Sequence, residues 1–174
     1  MSKDTAIIAV YDTHIQAEQV IKELQRNSFD MKKLSIIGKG YHTEEQPMGF
    51  YTTGDRMKAW GGIGAFWGAL WGLLLGAAFV WLPGIGPLAV AGPFAHLLMS
   101  GIEGAALVGG IGALGAALTS LGVPKNSVVK YETQLKADKY LVIAHGDEDD
   151  VAQARVILER TASDAQIYGT ATAQ

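Results

Sequence analysis

The residues of this chain that could do chemistry are few, and the most distinctive are a histidine and a glutamate in an apolar setting. His96 and Glu103 are seven residues apart, which on a helix places them on one face with about 10 Å of axial separation. Ionisable groups inside a membrane span are costly and by default mark an ion path, a proton site or an intersubunit contact. The competing interpretations are that His96 is solvated and that Glu103 is protonated or hydrogen-bonded to a neighbouring helix.

A second motif matches the dinucleotide-binding pattern G-x-G-x-x-G at Gly110, Gly112 and Gly115. In nucleotide-binding proteins these glycines lie at the turn between a strand and a helix. Here they lie inside an apolar helical pattern, so we do not expect a nucleotide.

The remaining candidates for catalysis or metal binding are weak. His42, Glu44 and Glu45 stand together in a turn-rich polar segment, which is typical of solvated surface. The chain has no cysteine, which excludes disulfide scaffolds, zinc ribbons and thiol enzymes. Its net charge of -3 gives no electrostatic reason to expect nucleic acid. We therefore predict a protein that is not an enzyme and has no cofactor, no metal and no nucleic-acid partner.

Charge is distributed very unevenly along the 174 residues. Between Ala59 and Pro124 the only formally charged side chain is Glu103, and the same stretch holds all four tryptophans and 16 of the 22 glycines. As a helix, the run from Ala59 to Leu82 is long enough to cross a hydrocarbon core of about 30 Å.

The second half of this stretch fits another long helix. Prolines and glycines between Pro83 and Pro93 break the first helix, and residues 94–121 then continue apolar. The pattern predicts a glycine-rich transmembrane helical hairpin. Lysine and arginine flank the hairpin on both sides and are absent from its turn, which predicts that both termini are cytoplasmic and that the protein lies in a bacterial inner membrane.

Small residues recur every four positions within the hairpin. They are Gly64, Gly68, Gly72 and Gly76 in the first span and Gly101, Ala105, Gly109 and Ala113 in the second. Such rows let helix backbones approach closely inside lipid. Packing within one hairpin accounts for some of these rows, but their number favours a homo-oligomer.

The polar segments on either side of the hairpin share one pattern. Each has a short apolar strand, Thr5 to Tyr11 or Tyr140 to His145, followed by an amphipathic helix and a second strand. The buried helix stripes are expected to be Ala17, Val20, Ile21 and Leu24, and Val151, Ala154, Ile157 and Leu158. A further short helix after Pro124 would bury Val128, Tyr131 and Leu135.

The predicted fold class is therefore α+β. A ferredoxin-like domain, βαβ plus αβαβ, is interrupted by the transmembrane hairpin. We divide the chain into residues 1–58, the first half and a loop; residues 59–123, the hairpin; and residues 124–174, the second half. Each half alone buries too little apolar surface to be stable, so we expect the halves to pair.

Four stretches of the sequence resemble a bacterial membrane family of unknown function, the general stress protein (seventeen-M type) or heat-induced stress protein family. They are SFDMKKLSIIGKGYHTEE, GFYTTGDRMKAWGGIGAFWGALWGLLLGAAF, WLPGIGPLAVAGP and VPKNSVVKYETQLKADKYLV. The resemblance covers residues 6–161. It implies a cytoplasmic two-part domain flanking a glycine-zipper membrane segment and a link with stress, and it supplies no catalytic residues.

Three functions are open at this point. The main prediction is a non-enzymatic integral membrane protein in the lipid bilayer, a stress-related envelope scaffold that assembles through its small-residue helix faces. The second is an oligomeric pore or proton or ion channel that uses Glu103 and His96. The third is a soluble or peripheral assembly in which many copies bury their apolar hairpins in a common lipid-like interior, with possible bound lipid.

Overall fold

The computed structural model describes residues 5–39, 77–82, 86–98 and 113–169, which form an α+β fold. In chain order the elements are β1 (Thr5–Tyr11), α1 (His14–Arg26), a 3₁₀ turn (Met31–Lys33), β2 (Leu34–Lys39), β3 (Ala77–Leu82), β4 (Gly86–Ala91), α2 (Ala113–Ser120), α3 (Lys125–Lys136), β5 (Tyr140–Gly146), α4 (Glu148–Thr161) and β6 (Asp164–Gly169). Residues 94–98 are also helical.

The six strands form one sheet in the order β3-β4-β2-β5-β1-β6, and all neighbouring strands are antiparallel. The central strands β1 and β5 come from the two polar segments and pair from Thr5 opposite Gly146 to Tyr11 opposite Tyr140. The strands β2, β5, β1 and β6, with the helices α1 and α4, have the order of a ferredoxin-like sheet. The α+β class and the pairing of the two halves are therefore confirmed.

Both faces of the strands β4, β2, β5 and β1 carry buried apolar residues, and helices of the same chain pack there. On one face of the sheet, which we call face A and which carries Ile7, Ala9 and Tyr11 of β1, α1 and α4 pack through the two predicted stripes. Every residue of those stripes is buried. Each helix begins at a side-chain cap: Thr13 accepts a hydrogen bond from the N–H of Gln16, and Asp147 accepts one from the N–H of Asp150. Both helices pack mainly against the central strands β1 and β5.

The opposite face, face B, carries Ala6, Ile8 and Val10 of β1 and is covered by residues 94–98, α2 and α3. Their buried residues include Phe94, Leu98, Leu114 and Leu118, together with the predicted stripe Val128, Tyr131 and Leu135. Since both faces are covered, the central strands are apolar at nearly every position rather than at alternate positions.

The predicted transmembrane hairpin is wrong. Residues 77–82 and 86–91, which belong to that stretch, are strands β3 and β4 of the sheet. Helix is present at residues 94–98 and at the eight residues of α2, but among the described residues no helix is both long enough and apolar enough to span a bilayer. This finding overturns the predictions of an integral membrane protein, of transmembrane helices and of an inner-membrane location with cytoplasmic termini.

The error has a physical cause in β4. Leu88 and Val90 lie in the face B core, and Ala89 and Ala91 lie in the face A core, all of them fully buried. A strand covered on both faces has a continuous apolar sequence without alternation, and such a run cannot be told from a buried helix by its hydrophobic pattern. The charge-free sequence predicts a helix in lipid, whereas this part of it is a strand buried inside the protein.

Candidate functional site

The feature of this fold that goes beyond a ferredoxin-like sheet is its extension by the hairpin β3–β4. Strand β4 pairs with β2 from Ile36 opposite Ala91 to Lys39 opposite Leu88. Strand β3 then pairs with β4 along its whole length, from Ala77 opposite Ala91 to Leu82 opposite Gly86. Among the strands that the structure describes, the outermost at this end of the sheet is β3, with the sequence AAFVWL. We call it the apolar edge.

A polar joint fixes the hairpin to the sheet where β4 ends. The hydroxyl oxygen of Ser35, on β2, accepts a hydrogen bond of 3.0 Å from the N–H of Phe94, the first residue of the helical segment 94–98. Ser35 is fully buried. Beside it Gly92 has a φ of +99°, and a Cβ at Gly92 would lie 2.8 Å from both Cα and Oγ of Ser35. Only glycine fits this position without displacing the strand.

The opposite edge of the sheet, β6, is secured by polar contacts. Its preceding residue, Ser163, donates hydrogen bonds to the carbonyl of Val10 from both its N–H and its hydroxyl, each 2.9 Å long. Asp164 at the start of β6 forms an ion pair with Lys130 of α3. These contacts hold the edge strand against β1 and α3.

A buried pair of tyrosines continues this attachment. The hydroxyl groups of Tyr131, on α3, and Tyr168, on β6, are 2.8 Å apart. The Tyr168 hydroxyl donates to Oε1 of Gln166 at 2.8 Å, so Tyr131 is the donor to Tyr168. Burial and this hydrogen bond raise the pKa of Tyr131 far above its usual value. Tyr131 is therefore neutral at physiological pH, and the pair joins α3 to β6.

An acidic group with a basic and a backbone partner lies at the start of α4. Lys33 Nζ lies 2.5 Å from Oδ2 of Asp150, and Asp147 and Asp150 cap each other's backbone N–H groups. The hydrogen bond from Lys33 lowers the pKa of Asp150, and the Asp150 carboxylate raises the pKa of Lys33. This arrangement uses the charges to fix the helix start and the 3₁₀ turn, and it brings no nucleophile or second acid–base group together.

No metal centre is formed in the part of the chain that the structure describes, since no three histidine or acidic side chains converge there. His42, Glu44 and Glu45 lie outside the described residues, as do Gly110 and Gly112 of the glycine motif. Gly115, the last residue of that motif, lies within α2.

The predicted helix-packing residues lie almost entirely outside the described ranges. Gly64, Gly68, Gly72, Gly76, Gly101, Ala105 and Gly109 are not described, and Ala113 is the first residue of α2. Of the predicted polar pair, His96 is exposed in the helical segment 94–98, and Glu103 lies outside the described residues.

Sequence reasoning missed the apolar edge, the joint at Ser35 and the tyrosine pair. The edge had a local signal: AAFVWL is rich in aromatic and branched residues and is followed at once by Pro83 and Gly84, which is typical of a short strand and a turn. The joint had none, because the contact between Ser35 and Phe94 joins residues 59 positions apart.

Comparisons with protein-family models, with curated proteins and with solved structures find no match. The resemblance to the general stress protein family therefore stays a prediction, and the proposed function is based on the strand order and on the two edge strands.

Proposed function

We propose that this chain is a non-enzymatic, self-assembling protein. Its copies associate through the apolar insert, residues 59–123, and the apolar edge of one copy pairs with that of another. The observation that carries the proposal is the position of β3, the outermost of the described strands at its end of the sheet, with the uncharged sequence AAFVWL. An edge strand presents backbone N–H and C=O groups that pair readily with another strand.

The composition of the edge supports this choice of partner. Proteins that avoid edge pairing place lysine, other charges or proline on the edge strand, and β3 has none of these. Two uncharged edges meet without burying a charge and without repulsion between like charges. A second copy is therefore a suitable partner.

The two edges of the sheet differ in this respect. At the other end, β6 begins at the ion pair of Asp164 with Lys130 and carries the exposed side chain of Gln166. Pairing along β6 would bring charged groups of two copies together. We therefore assign assembly to β3 and not to β6.

The rest of the insert fits the same proposal by its composition. Only Glu103 is charged between Ala59 and Pro124, so copies joined at β3 would bring large uncharged segments into one assembly. Apolar surface that leaves water contributes roughly 25 cal/mol per Å². Acyl chains are suited to such an interior, and bound lipid would be seen as added mass in native mass spectrometry.

The channel that would use His96 and Glu103 is not part of this proposal. It requires helices that cross a bilayer, and none of the described helices is suited to that.

The test is the mass of the full chain in detergent-free buffer over a concentration series, measured by light scattering and native mass spectrometry. The wild type is compared with Val80→Lys in β3 and with the matched control Ile167→Lys in β6, whose side chain is 42% exposed. We expect a defined oligomer for the wild type and the control, and at least tenfold weaker association for Val80→Lys. A monomeric wild type at every concentration, or equal weakening in both variants, would refute the proposal.

A further inference from the structure

We propose that two copies pair their β3 strands antiparallel about a two-fold axis, with Phe79 of one copy opposite Phe79 of the other and Ala78 opposite Val80. This geometry rests on the proposed function, because it specifies the contact that the function assigns to the apolar edge. It follows from which backbone groups of β3 are directed away from the sheet.

The direction of the backbone groups is given by two contacts inside the sheet. The carbonyl of Val10, on β1, accepts a hydrogen bond from the N–H of Ser163, so it is directed toward β6. A Cβ on Gly92, the residue directly after β4, would clash with the carbonyl oxygen of Leu34 on β2, so that carbonyl is directed toward β4. In an antiparallel sheet the N–H and C=O of one residue are directed to the same side, and those of the next residue to the other side. The two contacts therefore assign a direction to every residue of β1 and β2.

The strand pairing extends this assignment to β3. Ile36 is two residues after Leu34, so it is also directed toward β4 and forms a hydrogen-bonded pair with Ala91. Val90, the residue before Ala91, is then directed toward β3 and pairs in the same way with Ala78. The same alternation along β3 leaves three residues whose N–H and C=O groups are directed away from the sheet: Ala77, Phe79 and Trp81.

Two further observations agree with this assignment. The alternation counted from Val10 through β5 to β2 gives the same direction for Ile36. Pro87 of β4 lies opposite Trp81 and has no N–H to donate. In the assigned pattern the nitrogen of Pro87 is directed away from β3, so the proline interrupts no hydrogen bond between β3 and β4.

The three outward residues determine how a second β3 fits. They are evenly spaced with Phe79 at the centre, so an antiparallel partner places Phe79 opposite Phe79 and Ala77 opposite Trp81 on either side. Each of these pairs exchanges two hydrogen bonds. A register displaced by two residues keeps only two of the three pairs, so the centred register uses the edge most completely.

The antiparallel arrangement also makes the contact close on itself. An antiparallel pair of identical strands has a two-fold axis through its central pair, so both copies use the same surface. The hydrogen bonds of a parallel pair are slanted and offset one strand along the other, so two parallel copies are not related by an exact two-fold axis. In the antiparallel pair the described strands of both copies form one continuous sheet, with face A of both copies on the same side.

Cross-linking between two single-cysteine chains tests the geometry, because the natural chain has no cysteine. Full chains carrying Ala78→Cys or Val80→Cys are mixed at a concentration at which the wild type is oligomeric, and are then oxidised. In the proposed geometry residue 78 of one copy lies directly opposite residue 80 of the other, within reach of a disulfide. Identical positions are diagonal neighbours, which are farther apart.

We expect the mixed disulfide to exceed each symmetric disulfide at least tenfold in peptide mass spectrometry. Ile167→Cys is the matched control on the other edge strand, β6, and should form at least tenfold less disulfide than the mixture. Symmetric disulfides as abundant as the mixed one would overturn the two-fold geometry. So would the lack of any disulfide in a mixture whose mass shows an oligomer.

Two proline variants test the direction of the backbone groups without relying on assembly. Val80→Pro removes an N–H that is directed toward β4, whereas Phe79→Pro removes an outward N–H, at a position where an edge strand tolerates proline. Each is compared with the alanine variant of the same position, which keeps the N–H. At the lowest measurable concentration, proline should lower the urea midpoint relative to alanine more at Val80 than at Phe79. An equal or larger loss at Phe79 would overturn the assigned direction.

The same variants separate this geometry from the proposed function. At high concentration Phe79→Pro should associate at least tenfold more weakly than Phe79→Ala, and equal association would overturn the geometry. If the wild type and the β6 control assemble and Val80→Lys does not, the proposed function stands whatever the cross-links show. A wild type that is monomeric at every concentration would refute the proposed function and this geometry together.

Discussion

At the residue scale, the buried hydroxyl pair of Tyr131 and Tyr168 is a contact whose contribution can be measured cleanly. Tyr131 is completely buried, and the structure gives its hydroxyl one hydrogen bond, to Tyr168. Tyr168 has a second bond, to Gln166. The two hydroxyls are therefore not equivalent, and removing each has a different cost.

We predict that Tyr168→Phe lowers the free energy of unfolding by about 1–3 kcal/mol, because it leaves the Tyr131 hydroxyl buried without its partner. Tyr131→Phe should cost less, about 1 kcal/mol, since Tyr168 keeps its bond to Gln166. Urea unfolding of both variants and of the double variant provides the coupling energy.

The double variant provides the control for this prediction. Replacing both hydroxyls by apolar groups of the same shape leaves no unsatisfied partner, so the double variant should be less destabilised than the sum of the single variants. Strictly additive effects would show that the two hydroxyls do not act as a pair.

Local sequence pattern predicts which residues of a helix are buried, but it does not predict contacts between residues that are distant along the chain. The buried stripe Val128, Tyr131 and Leu135 follows from helical spacing and is confirmed. The hydrogen bond between Tyr131 and Tyr168 joins residues 37 positions apart, so the helical spacing around Tyr131 does not predict it.

At the element scale, the start of α4 shows how charge supports a helix. Asp147 and Asp150 form a reciprocal capping box, and Lys33 of the 3₁₀ turn contacts Asp150. Three acidic residues occupy the first turn of the helix, where they interact favourably with its dipole. The sequence predicts this helix from its apolar stripe, and it does not predict the contact with Lys33.

We predict that acidification weakens this element through Asp150. Because the pKa of Asp150 is lowered in the folded chain, its stabilising effect is complete above the ordinary value near 3.8 and is lost as the pH falls below it. Asp150→Asn keeps the side-chain acceptor and removes the charge.

The measurement is the urea midpoint of wild type and Asp150→Asn between pH 6 and pH 2.5. The difference between them should be largest near pH 6 and should shrink toward zero at the acid end. Glu148→Asn is the matched control, because Glu148 lies in the same turn and is exposed. A difference that stays constant with pH would show that the charge of Asp150 is not the cause.

The strands also show why element prediction failed in the insert. For β1 and β5, branched residues bounded by polar residues identified a strand, and the structure confirms both. For β3 and β4, the apolar run extends through both strands and beyond, so its length favoured a helix in lipid. What distinguishes the alternatives is the presence of β2 beside β4, which local sequence does not contain.

At the scale of the whole molecule, the repeated strand–helix–strand pattern was sufficient to predict that the two polar halves share one sheet. The pairing of β1 with β5 confirms it. The extension of that sheet by β4 and β3 is not predictable from local sequence, because β4 pairs with β2 across more than 45 intervening residues and the hydrogen bond between Ser35 and Phe94 joins residues 59 positions apart. The extension is nevertheless the feature that gives the molecule two unlike edges.

Copies of the chain are proposed to meet at the apolar edge, and amide hydrogen exchange in β3 tests this most directly. The wild-type full chain is labelled at low and at high concentration, and peptides that contain residues 77–82 and 164–169 are followed separately. We predict that exchange in β3 slows at least tenfold as concentration rises, because the outward N–H groups become hydrogen-bonded, while exchange in β6 stays the same. Slowing confined to β6, or β3 exchange that is independent of concentration while the mass increases, would contradict the claim.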